Sequence, residues 1–279
     1  MNDLDDERHY SVAKSNEFYR RQEPYNLIWL IQQCGNRLTL AEMKLVSFLI
    51  SKVKPTDTVL QEYTFSISDF CKVCGITYCG KNYKRVKDML NSIADKSDWI
   101  KDGTKIILFR WIETPVIDTG KGQVTARLNP LLTRYLLDLF KDGRFFQYEL
   151  VFVLPLKSAY SFRLYELAKS HSHEGNAKLT IKDLKDLLGM PDGYDIKNCM
   201  RAIKKSIAEI NNYTDLRLAL EPIRKGRKIE GVDLSIERLE GEAHYFERSR
   251  NLSRTIKELD GDQEQQIPGQ MNLEFADKE

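Results

Sequence analysis

Apolar and polar positions alternate between helical and strand spacing in an order that runs through the chain twice. In LTLAEMKLVSFLISKV (38–53), Leu45, Phe48 and Leu49 fall at helical spacing and predict an amphipathic helix. A short apolar strand (Tyr63–Ile67) leads through Ser68 into a helix of about two turns that stops near Gly75. A turn follows, then a longer helix with Tyr83, Val86, Leu90 and Ile93 as its apolar stripe. Two stretches of strand character, KIILFRWIETPVID (105–118) and QVTARL (123–128), come next, separated by the turn TGKG. The order then returns. SAYSFRLYELAKSHS (158–172) predicts a helix with Phe162, Tyr165 and Leu167 apolar. A strand (Lys178–Ile181), Lys182 and a short helix ending at Gly189 follow, then a turn and a helix over Asp195–Asn212. Ile196, Cys199, Ile203, Ile207 and Ile210 form that helix's stripe, and LRLALEPIRKGRKIEGVDLSIER (216–238) reads as two strands around a tight basic turn.

The two passes align as a repeat. TFSISDFCKVCGI (64–76) lies without a gap on KLTIKDLKDLLGM (178–190), an offset of 114 that pairs Ile67 with Ile181, Asp69 with Asp183 and Gly75 with Gly189. Continued into the next helix, it places Val86 on Met200, Met89 on Ile203 and Ile93 on Ile207. Helix, glycine-containing turn and second helix is the helix-turn-helix order, and a following β-hairpin makes it a winged helix. The predicted fold is α+β: two tandem winged-helix domains related by internal duplication, joined through a helical stretch near 130–140 and followed by an acidic tail. The expected divisions are 1–140, 141–240 and 241–279, with the tail disordered.

Charge sharpens this. The whole chain carries +2, but residues 1–240 hold 38 Lys and Arg against 32 Asp and Glu, while residues 241–279 hold 5 against 9. A mildly basic body permits nucleic-acid binding without requiring it, so the placement of the cations decides. No apolar run approaches the roughly 20 residues of a membrane helix. The acidic, polar start MNDLDDERHYSVAKSN is unlike a secretory signal, so a cytoplasmic protein without a membrane role is expected. The five cysteines are odd in number and scattered, which argues against a disulfide framework. Cys71 and Cys74 form a C-x-x-C with only Cys79 nearby, and apolar spacing favours small core residues on a helix over zinc.

The cations gather on the second helices. Opposite the stripe of Asp195–Asn212 stand Lys197, Asn198, Arg201, Lys204 and Lys205, with no acid before Glu209 and with Asp195 placed as an N-cap. Arg reads guanine and Asn reads adenine bidentately, so Arg201 and Asn198 are the expected base readers, and the lysines hold phosphates. In the first copy Lys81, Lys84, Arg85 and Lys87 charge the early turns, and Asp88, Asp95 and Asp98 dilute the charge farther along. Arg224, Lys225, Arg227 and Lys228 around Gly226 form a wing tip suited to the backbone or a minor groove; Lys121 is its weaker counterpart. A solvated surface face and turn is the alternative for each of these groups.

SVAKSNEF (11–18), LYELAKS (164–170) preceded by SAYSFR, and AEINNYTD (208–215) running into KGRKIEGVDLSI occur in an order that resembles the iteron-binding plasmid replication initiators. The similarity spans roughly residues 10–240 and leaves the tail outside. It implies binding to double-stranded origin repeats as a monomer, with the two second helices in successive major grooves and Lys84, Arg85, Lys197, Arg201 and Lys204 at the DNA by position. It further implies opening of AT-rich DNA, contact with the replicative helicase and host initiator, and autorepression by a dimer on an inverted repeat, with the first domain forming the dimer interface. In the tail, Gln270, Met271, Leu273 and Phe275 lie in QMNLEF, similar to the Q-L-x-L-x-F peptides that dock on the polymerase sliding clamp.

An enzyme is not expected. There is no GxxxxGK[ST] phosphate loop, no legible Ser/His/Asp arrangement and no implied cofactor or metal. His171-Ser-His173 superficially suggests a nicking metal pair, but Tyr165 sits on a core-like stripe and the histidines suit a helix end. A winged-helix transcriptional repressor and a protein-interaction scaffold remain as alternatives, since fold does not fix function.

Overall fold

The computed structural model describes residues 11–15, 37–53, 57–73, 80–102, 104–137, 145–191 and 193–239. The first pass contains β1 (Ser11–Ser15), α1 (Leu40–Ile50), β2 (Glu62–Ser66), α2 (Ile67–Val73), α3 (Gly80–Asp95), β3 (Asp98–Asp102), β4 (Lys105–Phe109), β5 (Ile112–Asp118) and β6 (Gln123–Leu128). A 3-10 turn at Pro130–Leu132, the one-turn helix α4 (Thr133–Leu136) and β7 (Phe145–Glu149) lead onward. The second pass contains α5 (Ala159–Ser170), β8 (Asn176–Thr180), α6 (Ile181–Leu188), α7 (Ile196–Tyr213), β9 (Leu216–Lys225) and β10 (Lys228–Arg238).

Both passes build the same three-stranded antiparallel sheet. The strand before the helix pair flanks the last strand, which also pairs with the strand before it: β2-β6-β5 in the first and β8-β10-β9 in the second. Burial alternates in register as well, with Tyr63 and Phe65 inside β2 and Ala177 and Leu179 inside β8. Phe48 of α1 meets Phe65 and Phe70 edge-on at ring-centroid distances of 5.2 and 5.5 Å, the geometry aromatic quadrupoles favour. These are two winged helices. Among the described residues, no helix is long and apolar enough to cross a membrane.

The structure corrects several sequence expectations. The short helices begin at Ile67 and Ile181, one residue before Ser68 and Lys182. The oxygens of Ser66 and Thr180 accept from the amides of Asp69 and Asp183, satisfying orphan donors that the later residues would leave bare. The stretch 105–118 is two strands broken at Arg110 and Trp111, and β4 turns back on β3 in a hairpin that periodicity did not reveal. Trp99 and Ile106 share that hairpin's outer face, where both are well exposed. β7, beyond the division expected at residue 140, pairs with β1 near the start of the chain, so this ladder joins segments on either side of it.

The repeat slips by one residue in its second helix. Val86, Leu90 and Ile93 are the buried residues of α3 within its described side chains, and Cys199, Ile203 and Ser206 answer them in α7. That is an offset of 113, not the 114 that holds through the strand and first helix. Lys84 therefore corresponds to Lys197, Arg85 to Asn198 and Asp88 to Arg201.

Helix α5 departs furthest from its predicted amphipathic form, because every residue from Ser161 to Ser170 is buried. Its polar side chains are covered from both sides. Lys14 of β1 donates to Glu166 at 2.5 Å, and the Tyr148 hydroxyl of β7 donates to the same oxygen. On the other side, Lys169 and the Tyr165 hydroxyl bind the two oxygens of Asp215 at 2.8 and 2.7 Å. Burial, with Asp215 alongside, raises the Tyr165 hydroxyl pKa well above the usual phenol range. At the start of α1, Thr39 and Glu42 form a capping box. Burial opposes the Glu42 charge, yet hydrogen bonds from Lys96, Ser92 and Thr39 prevail and lower its pKa.

Candidate nucleic-acid interface

α7 is held at both faces of its N-terminus. Gly189 closes α6 in the left-handed conformation (φ 65°, ψ 40°) that glycine adopts without strain, as its position predicts. Its counterpart Gly75 lies outside the described residues. Lys185 donates to the Tyr194 carbonyl across the turn, and Asp195 caps α7 by accepting from the Asn198 amide at 2.6 Å. Cys199, Ile203 and Ile210 are buried beneath, with Ile196 and Ile207 half-buried at the margins.

This anchoring turns Lys197, Arg201, Lys204 and Lys205 to solvent, with Asn198 half-buried beside them. Arg201 Nη2 donates to Asn198 Oδ1 at 2.7 Å, so the two expected base readers are joined by a hydrogen bond. The first carboxylate of the helix is drawn aside: Glu209 accepts from the Lys157 amide at 2.6 Å. The exposed face of the first turns therefore carries only positive and neutral groups, the arrangement a polyanion requires.

α3 presents a smaller version. Lys84, Arg85 and Lys87 are exposed, but so is Asp88, which occupies the place of Arg201. Lys81 lies in the helix, and its side chain is outside the described residues. The buried Glu42 beneath this face is neutralised by Lys96.

The second wing extends beyond its sheet. β8 pairs with β10 only as far as Gly231, so the chain from Arg224 to Glu230 is a two-stranded ribbon. Gly226 turns the ribbon at φ +64°, and Arg224, Lys225, Arg227 and Lys228 are all exposed. Lys225 and Lys228 stand directly opposite each other, a like-charge pair that costs stability unless an anion lies against it. A bulge between Ile229 and Gly231 bends the ribbon at its root. A Cβ on Gly231 would sit 2.5 Å from the Leu179 carbonyl oxygen, so only glycine lets β10 cross there. Sequence reading passed over Gly231, although a lone glycine inside a strand is the usual sign of a bulge or close approach. The first wing offers one exposed cation, Lys121, which lies 3.7 Å from Asp118.

Of the remaining chemical candidates, those within the described residues have structural roles. Cys71 is buried in the core; Cys74 and Cys79 lie outside the described residues, as does the QMNLEF segment with Gln270, Met271, Leu273 and Phe275. Tyr165 is fully buried and bonded to Asp215, unavailable as a nucleophile. His171 caps the end of α5, its Nδ1 within 3.0 Å of the Leu167 carbonyl oxygen.

Comparison with known proteins agrees with this architecture. Residues 28–169 match the family model described as Initiator Replication protein, WH1, and residues 180–236 match Initiator Rep protein, WH2. In fold the chain is similar to the Pi initiator protein, whose crystal structure is in complex with iteron DNA. The identity is 19%, the TM-score 0.64, and the match covers 84% of this chain and 99% of that one. Domains 2 and 3 of RctB align at 13% identity and TM-score 0.44 over 73% of this chain and 84% of that one. With both family models matching in order over most of its length, the chain belongs to the initiator replication protein family, as two tandem winged-helix domains.

Proposed function

We propose that this chain is a plasmid replication initiator that binds repeated double-stranded sites (iterons) at an origin, using α3 and α7 in successive major grooves and the β9–β10 wing on the backbone. One observation carries this: the early turns of α7 expose Lys197, Arg201, Lys204 and Lys205 with no carboxylate among them. The DNA-bound state of the Pi initiator protein, similar in fold, supports the same reading. In this reading residues 1–140 contact DNA and dimerise, residues 141–240 supply the main recognition, and the role is binding in the bacterial cytoplasm rather than catalysis. Family resemblance extends it to opening of AT-rich DNA and contacts with the replicative helicase and host initiator.

Selection from a random duplex library tests the reading. A non-palindromic motif about two helical turns long is expected, since successive major grooves lie roughly 34 Å apart. Arg201→Ala is expected to weaken binding by about 1–3 kcal/mol and to relax one base position in that motif. Uniform weakening across all sequences would make Arg201 a phosphate contact, and no enrichment would refute DNA reading altogether.

A second reading, autorepression by a dimer on an inverted repeat, draws on the exposed outer face of the β3–β4 hairpin. Trp99 and Ile106 are 65% and 68% exposed there, an apolar surface suited to self-association. Recovery of an inverted repeat from the same library would favour it. The tail is proposed to dock on the polymerase sliding clamp through QMNLEF. A 265–279 peptide should bind purified clamp and lose binding on Phe275→Ala; equal binding by both peptides would refute it.

A further inference from the structure

We infer that Arg163 is a positioning residue that sets the spacing and rotational phase between the two DNA-reading helices, and so selects the separation of the two halves of the site. The inference rests on the two-helix reading proposed above and concerns how that reading is made specific.

Arg163 lies on α5 and is 5% exposed. Its Nη1 donates to the Leu188 carbonyl at 2.9 Å, and its Nη2 donates to the Leu38 carbonyl at 3.3 Å. Leu188 ends α6, immediately before the Gly189 cap and the turn that launches α7. Leu38 immediately precedes the Thr39 cap of α1, the helix beneath α3. A single planar guanidinium thus holds both winged helices at the segments that orient their readers. Its fixed fork is what makes the distance between two carbonyls a constraint.

A second tie runs parallel to the first. Lys44 of α1 donates to the carbonyls of Leu154 and Leu156, in the segment leading to α5, at 2.5 and 2.9 Å. Both ties join a long cationic side chain of one winged helix to the backbone of the other or of the connection. Neither touches the exposed faces that carry Lys84, Arg201 or the wing. Their effect on DNA must therefore pass through geometry.

The test inserts or deletes one base pair between the two halves of the selected site. Each change swings the second half by about 34°. The unaltered full-length chain is expected to lose about tenfold or more in affinity, the scale of one mismatched position. Arg163→Gln is expected to reduce that discrimination to about threefold or less, below the roughly fivefold at which ordinary coupling between sites begins. Base preferences within each half should stay unchanged, which a merely structural loss would not predict. Arg163→Lys, with one donor group in place of the fork, should fall between. If Arg163→Gln does not fold, Lys44→Gln removes the parallel tie and is expected to flatten the spacing profile in the same direction. Unaltered protein with steep spacing dependence and variants equally steep would overturn the inference while leaving two-helix reading intact. Unaltered protein indifferent to spacing would overturn both.

Discussion

Replacing Arg224, Lys225, Arg227 and Lys228 together by alanine should lower the slope of log affinity against log salt by about 3–4, since each neutralised phosphate contributes roughly 0.9. The four side chains are exposed on a ribbon that leaves the sheet at Gly231, so nothing in the core depends on them. Unfolding by denaturant should shift by no more than about 0.5 kcal/mol per substitution. The Lys225–Lys228 repulsion relieved by the change works, if anything, toward greater stability. Binding tells a different story. A loss of about 0.7 kcal/mol per contact would already compound to roughly 100-fold in Kd. Fluorescence anisotropy over a salt series measures both quantities at once. An unchanged slope would remove the wing from the DNA.

The second large effect concerns stability rather than binding. Glu166→Ala is expected to destabilise the fold by about 3–5 kcal/mol, the cost of leaving a buried charge without its partner. Lys14 is 8% exposed and Glu166 2% exposed, so water cannot take over from the carboxylate. The Tyr148 hydroxyl would lose its closer acceptor in the same change, with Ser47 Oγ 3.4 Å away. Replacing both ions, as Lys14→Met with Glu166→Leu, should cost far less, because two apolar groups of similar volume leave no buried charge unpaired. Urea melts of Lys14→Met, Glu166→Leu and the double variant close a cycle that isolates the pair. Equal loss in the double and in Glu166→Leu would show that the pair matters only as packing.

What was legible in the sequence followed from period and charge. The α7 stripe, the Asp195 cap, the Gly189 stop and the basic wing tip each rest on a local rule, and each stands where that rule puts it. The missed features depend on long-range pairing. DWIKD shows no strand signature of its own until Lys105–Phe109 folds back on it, and Ser11–Ser15 has none apart from its partner strand, in which Glu149 lies opposite Ser11, 138 positions away. Arg163, Glu166 and Lys169 look like the solvent face of an amphipathic helix. Long-range packing buries them, the first winged helix over Glu166 and Arg163 and the α7–β9 junction over Lys169, and no periodicity in LYELAKS could announce that cover. At the candidate interface, residue types were readable but equivalence was not: gapless alignment set Lys87 against Arg201, whereas burial sets Asp88 there.

The one-residue slip between the copies constrains any exchange of their readers. An α-helix advances about 100° per residue. A chimera that grafts the exposed residues of α7 onto α3 by the gapless alignment would rotate the whole cationic face by that angle, driving Arg201's guanidinium toward the side of the helix and lysine toward the core. Grafted at an offset of 113, Lys197, Asn198 and Arg201 would replace Lys84, Arg85 and Asp88 with the stripe of Val86, Leu90 and Ile93 undisturbed. The duplicated halves are thus interchangeable parts only after a shift in phase, and transplanted specificity has to be designed from the buried side of the helix outward.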